Sequence, residues 1–262
     1  MSGVLIWMAQ GTAVIAVVMF ILWLLHFPLR NLGLVDVGWS MGVALLALLY
    51  AVHAVGYWRR TIFLAVMAVI WGIRLGFYLL ARVSRQPEDP RYVELLREKW
   101  GSNQGLKFLL FFESQALGCG IMSLPLALGM HDPAKGPPEI ENFGAALWAI
   151  AFLGETIADI QLARFKRNPK NQGRVCNVGL WRYSRHPNYF FEFLIWLSIA
   201  IVASPAQYGY LGFIAPALML VSLLFITGIP PSENQALRTK GDAYRKYQRA
   251  TSPFIPWFPN YR

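Results

Sequence analysis

The sequence predicts an all-α polytopic membrane protein with about seven transmembrane helices, and three observations predict it. Only 15% of the 262 residues are charged, where soluble domains carry about 25%. Apolar runs of about 20 residues, long enough to cross a bilayer as a helix, recur along the whole chain. The basic residues collect in every second loop between those runs, as the positive-inside rule demands. Hydrophobic residues make up 56% of the chain and mean hydropathy is +0.40.

The spans can be taken in order. Val4–Leu25 lacks a basic leader and a cleavage site, so it reads as a retained helix and not a signal peptide. Val35–Tyr57 opens with Asp36, and Ile62–Ala81 carries Arg74 in its interior. Phe108–Met130 holds Glu113 and the small-residue run GCGIMS (118–123), a face suited to close helix packing. Phe143–Leu162 carries Glu155 and Asp159. Tyr189–Ser204 is short and forms a tight hairpin through Pro205 with the last span, Tyr210–Gly228. With no repeat, linker or second core visible, residues 1–262 read as one domain. Its first four helices are the expected substrate side, and 143–262 the expected cofactor-binding part.

All but four of the 24 Lys and Arg residues fall in the loops after the first, third and fifth spans or in the tail; the exceptions are Arg59, Arg60, Arg74 and Lys135. This places the amino terminus outside and the carboxyl terminus in the cytosol. The net charge of +10 is then mostly topology, and no nucleic-acid partner is expected. Two cysteines, Cys119 and Cys176, exclude a disulfide framework or a multi-cysteine metal site and read as free thiols. No metal site and no obligatory protein partner are expected.

Ionisable groups inside membrane spans cost several kcal/mol or more, and so mark function. Asp36, Arg74, Glu113, Glu155, Asp159 and Glu192 all fall on the predicted cytosolic half, with the outer halves expected to hold almost none. Glu155 and Asp159 are one helical turn apart, and Lys166 continues their face. The stretch GLWRYSRHPNYFFE (179–192) adds a second pair, Asn188 and Glu192, also one turn apart. Pro187 suits a first helical position, with His186 before it as N-cap. Arg182, Tyr183 and Arg185 would stand beside the free N–H groups of that helix end, an anion site suited to phosphates. Asparagine offers a donor and an acceptor, and glutamate acceptors only. A ligand with phosphates at one end and a carboxamide at the other, such as NADPH, matches that division. The alternative is a basic interfacial loop followed by two satisfied polar residues.

The stretch resembles the C-terminal motif shared by steroid 5α-reductase-like and sterol-reductase membrane enzymes and by isoprenylcysteine carboxyl methyltransferases. Within that superfamily the chain is most similar to a bacterial branch related to the 5α-reductase C-terminal domain. The resemblance also rests on VDVGW (35–39), EDPRY (88–92), ADIQLARFKRNP (158–169) and YRKYQRATSPFIPW (244–257). It implies a seven-helix reductase of the bacterial inner membrane with a cytosol-facing NADPH site. Asp159, Lys166 and Arg164 match polar and basic cofactor contacts; Asn188 and Glu192 match residues at the nicotinamide end. Tyr78 and Arg85 match a Tyr/Arg pair at the cofactor, and Tyr244 and Tyr247 fall where the tail covers the nucleotide. Two departures concern the substrate: the Gln-Glu pair of the steroid 5α-reductases is absent, and Trp71 stands where they carry a catalytic tyrosine.

Reduction of an activated C=C bond needs hydride, polarisation of the acceptor and a proton. Asp36, Arg74 and Glu113 are the catalytic candidates: a buried carboxylic acid can donate a proton, and an arginine can stabilise an enolate. The expected substrate is lipophilic, of steroid, sterol, polyprenyl or fatty-acyl type, entering from the lipid bilayer. Two rivals stay open. An S-adenosylmethionine-dependent methyltransferase would use Glu233 and Tyr244 to hold its donor, and a non-catalytic lipid-binding protein would keep a decayed pocket.

Overall fold

The computed structural model describes residues 1–29, 31–85 and 104–260, with the side chains of Arg85 and Gln104 left out. The EDPRY motif lies outside the described residues. Among those described, every regular element is helical and the only strand-like pairing is an isolated parallel bridge between Ser184 and Ser252. In chain order the helices are α1 (Ser2–Leu29), α2 (Leu34–Val52), α3 (Trp58–Arg85), α4 (Gln104–Met122), α5 (Leu124–His131), α6 (Pro138–Arg167), α7 (Pro187–Ala203), α8 (Ile214–Val221) and α9 (Ile229–Ala250). Six stretches among the described residues are long and apolar enough to cross a membrane: Ser2–Leu29, Leu34–Val52, Trp58–Ser84, Gly105–His131, Pro138–Arg167 and Gly209–Ala250. The last owes its length to α9, which is polar; its apolar part ends where α9 begins. Helix α7 is apolar apart from its first turns but shorter. The chain is therefore an integral membrane protein.

Two of the expected spans differ in build. Phe108–Met130 is not one helix: α4 stops and α5 starts again around Ser123. Pro125 has no N–H to donate back to the preceding turn, so the helix cannot run through without a break. The last span is a composite, a 3₁₀ turn at Gly209–Phe213, then α8, then a π turn at Ser222–Ile226.

The chain divides into two compact units, Met1–Phe143 with Ile199–Ala215, and Gly144–Ser198 with Pro216–Arg262. In the first, α2 and α3 approach closely because glycine permits it. A Cβ on Gly72 would lie 2.6 Å from the Ser40 carbonyl oxygen, and one on Gly76 would lie 2.6 Å from Met41 Cγ. Trp39 and Trp71 meet edge to face, with ring centroids 5.8 Å apart. The Cys119 thiol faces the Trp39 carbonyl at 3.5 Å, so the GCGIMS stretch is a packing face as expected. Both cysteines are free and buried.

The first unit also corrects the expectation that buried charge gathers at one end of the spans. Arg60, in the first turn of α3, and Glu141, in the first turn of α6, are both fully buried and paired, Nε to Oε1, at 3.2 Å. Arg60 also donates to the Ala134 carbonyl at 2.9 Å, and Arg59 lies 3.6 Å from the other Glu141 oxygen. Asp132 ties the neighbouring loops, accepting from the backbone N–H groups of Gln207 at 2.5 Å and Ala134 at 3.1 Å. The result is a closed ionic knot far along α3 from Tyr78 and Arg85.

Candidate functional site

The second unit holds most of the predicted cofactor residues. Helix α6 presents Gly154, Ala158 and Gln161 along one face. At Gly154 a Cβ would meet the Phe191 ring at 2.5 Å, so glycine lets α7 lie directly against α6 there. Trp181 donates its indole N–H to the Ala158 carbonyl at 2.9 Å, and the Leu180 amide donates to Gln161 Oε1 at 2.9 Å. Gly179 adopts the left-handed backbone (φ +57°) that glycine tolerates, turning the chain tightly against Gln161. These contacts pin GLWRYSRHP to the helix that carries Glu155 and Asp159, which are 3% and 5% exposed.

Helix α7 begins as expected. Pro187 is its first residue and the Phe190 amide bonds the His186 carbonyl at 3.2 Å, which puts His186 at the N-cap position. Its side chain does not cap the helix. The imidazole stacks on Tyr189, with centroids 5.2 Å apart and planes 2° from parallel, and its Nε2 lies 3.3 Å from Glu233 Oε1. One turn into the helix, Glu192 is buried and accepts the Trp196 indole N–H at 2.9 Å. Asn188 Oδ1 is buried and has no hydrogen-bond partner. An acceptor in that state costs free energy until a donor reaches it.

The predicted phosphate set divides in two. Arg164, Lys166 and Arg182 are exposed, and Tyr183 is partly so. Arg185 is instead committed to the chain itself. Its Nε donates to Glu233 Oε1 at 2.6 Å, and Nη1 donates to the carbonyls of Gln248 at 2.9 Å and Thr251 at 2.6 Å. Glu233 receives further bonds from Gln248 Nε2 at 2.8 Å and the Tyr244 hydroxyl at 3.4 Å. Tyr247, buried beside it, donates its hydroxyl to the carbonyls of Trp181 and Ser184. The tail then pairs with the loop: Arg185 N–H to Ser252 O at 2.8 Å, Ser184 Oγ to Phe254 O at 2.8 Å, Trp257 N–H to Tyr183 O at 2.9 Å. Tyr244 and Tyr247 thus clasp α9 and the tail onto the motif.

Sequence reasoning placed Glu233 only in the rival methyltransferase and missed its central role. Burial by itself would raise this carboxyl, but His186, Arg185 and Gln248 together outweigh burial and hold it down at about 2, against an ordinary 4.5. Burial, and then this carboxylate beside it, push the Tyr244 hydroxyl up. A depressed carboxyl contributes stability that is full above the unfolded value and lost as pH falls through the folded one. Detergent-solubilised protein is therefore expected to lose stability as pH falls from 4.5 toward about 2. The stability advantage of the parent protein over Glu233→Gln should shrink over that window; melting curves of the two that stay parallel would refute the assignment.

Tyr78, Asp36, Arg74 and Glu113 belong to the first unit. Asp36 sits in the first turn of α2, and Arg74 and Tyr78 one turn apart on α3; these and Glu113 on α4 are all half-buried. Arg85 is the last residue of α3, and its side chain is outside the description. Among the described residues no group of His, Cys, Asp and Glu is arranged to hold a metal ion.

An all-helical membrane protein whose C-terminal half clasps an Arg-His-Pro-Asn motif against a partly buried carboxylate is thus defined by fold and site. The chain belongs to the family described as Protein of unknown function (DUF1295), which it matches over residues 22–251, a family of the steroid reductase-like superfamily. It is 26% identical over 264 residues to the Uncharacterized protein C594.04c of Schizosaccharomyces pombe, covering 90% of this chain and 76% of that protein. Over 67 residues it is 36% identical to the Probable O-methyltransferase ustE of Ustilaginoidea virens, 25% of this chain and 23% of that one. No solved structure matches.

Proposed function

We propose that the chain is an NADPH-dependent membrane reductase acting on a carbon–carbon double bond of a lipophilic substrate. The observation that carries this reading is the buried, unsatisfied Oδ1 of Asn188, one turn before the buried Glu192 carboxylate. Two acceptors there suit the N–H groups of a carboxamide, and the residues present fit a nicotinamide. Arg164, Lys166 and Arg182, exposed on the same unit, supply positive charge for the phosphates. When bound, the nicotinamide supplies hydride. Asn188 and Glu192 would orient its ring, Glu155 and Asp159 would accept polar groups of the nucleotide, and Tyr244 and Tyr247 would keep the tail closed over the motif. In the first unit Asp36 and Glu113 would provide the proton and Arg74 would stabilise enolate charge. The reading includes seven spans and a bacterial inner membrane, and the distribution of basic residues supports its outside amino terminus and cytosolic site.

The 67-residue likeness to a Probable O-methyltransferase favours a second reading, an S-adenosylmethionine-dependent methyltransferase. Against it, Glu233 already accepts from Arg185, Gln248 and Tyr244 and has little capacity left for a methyl donor's amine. Thermal stabilisation separates the two readings, because a ligand at 100 times its Kd raises native-state stability by about 2.7 kcal/mol. NADPH is expected to raise the midpoint of the purified protein, and Asn188→Ala and Glu192→Ala to abolish the effect. A shift with S-adenosylmethionine in its place would establish the second reading. An intact protein indifferent to NADPH, NADH and S-adenosylmethionine would point to a non-catalytic lipid-binding role.

A further inference from the structure

The tail after α9 carries an apolar surface that the clasp does not use. Phe254 points inward, its ring 5.6 Å from Phe190 and 6.2 Å from Phe193 in the first turns of α7. The next residues turn outward: Ile255 is 60% exposed, Trp257 70% and Phe258 80%. The backbone that carries them is tied to the rest of the unit. The Trp257 amide bonds the Tyr183 carbonyl, Phe258 meets the Tyr183 ring edge-on at 6.0 Å, and the Asn260 amide bonds the Ala250 carbonyl at 2.8 Å.

Depth follows from these contacts. Tyr183 precedes by four residues the apolar helix that starts at Pro187, and Phe254 packs two turns into that helix. The exposed ridge therefore stands level with the beginning of an apolar helix, where water gives way to hydrocarbon. Tryptophan and phenylalanine beside cations belong to that zone. Arg182 is next in the chain to Tyr183 and Arg249 to Ala250, the two residues whose carbonyls hold the tail, and both arginines are exposed.

We propose that Ile255, Trp257 and Phe258 dock into the interface of the bilayer, with Arg182 and Arg249 drawn to anionic lipid headgroups. The membrane then holds the tail down on the GLWRYSRHP motif, and the clasp closes fully only against lipid. This holds whichever cofactor the site takes.

Both native cysteines are buried, so Phe258→Cys can be labelled with an environment-sensitive fluorophore in protein reconstituted into nanodiscs. Arg245→Cys, on the exposed polar side of α9, is the aqueous reference. Lipids bearing a nitroxide near the headgroup are expected to quench the 258 label at least twofold and leave the 245 label bright. Adding phosphatidylglycerol to phosphatidylcholine discs should strengthen that quenching, and Arg182→Glu with Arg249→Glu should remove the increment. Quenching by aqueous iodide with none by nitroxide lipid would overturn the proposal. So would protection of the label that appears only on adding NADPH or S-adenosylmethionine, since the ridge would then be a lid on a ligand.

Discussion

Glu233→Ala is expected to lower the stability of the C-terminal unit by about 3–5 kcal/mol, the range for removing one partner of a buried ion pair. The side chains of Arg185 and Glu233 are 10% and 14% exposed, so the stranded guanidinium cannot rehydrate without moving the loop. Gln248 and Tyr244 lose their acceptor in the same step. For a unit of this size the unfolding midpoint should fall on the order of 10 °C. Glu233→Gln keeps the shape and one acceptor oxygen, and should cost less. Arg185→Lys should behave like the alanine variant, since a single ammonium cannot span the Glu233 carboxylate and the two carbonyls of Gln248 and Thr251. A midpoint for Glu233→Ala within a degree of the parent protein would sink this account of the clasp.

Arg60→Met is the second large effect. Glu141 would be left fully buried beside Arg59 alone, with 3.6 Å between them and a partly exposed partner. A loss of about 3–5 kcal/mol is again expected. Arg60→Met combined with Glu141→Leu removes both charges and fills the space with apolar atoms, so it should recover most of that loss. Recovery in the double variant separates charge burial from simple damage to packing. If the double variant is as poor as the single one, the knot matters for shape and not for charge.

The apolar spans could be read from the sequence because length and hydropathy decide them before any tertiary contact forms. Pro125 did signal a break, but a continuous apolar run around it concealed the signal. The Asn188 and Glu192 pair was legible because one-turn spacing on a helix is a local property. Glu233 was not, since on α9 it lies among Arg238, Lys240, Asp242, Arg245, Lys246 and Arg249 and looks like one more solvated charge. Only the fold brings Arg185 to it. Arg59 and Arg60 looked like an ordinary span flank. The available cue was Glu141, an acidic residue opening another span and predicted to lie on the same side of the membrane.

Within the clasp, Arg185 and Thr251 are 66 residues apart in sequence, and an apolar segment, Gly209 to Gly228, lies between them. Arg185 is therefore synthesised well before the carbonyl it needs at Thr251. At about 5–20 residues per second, that interval lasts about 3 to 13 s. For most of it the motif stands without Glu233, and until its last residues without Tyr247 and the tail, while the intervening segment is still being threaded into the bilayer. Assembly of this half is ordered in time: insertion comes first, and the motif takes its final form only when the tail arrives.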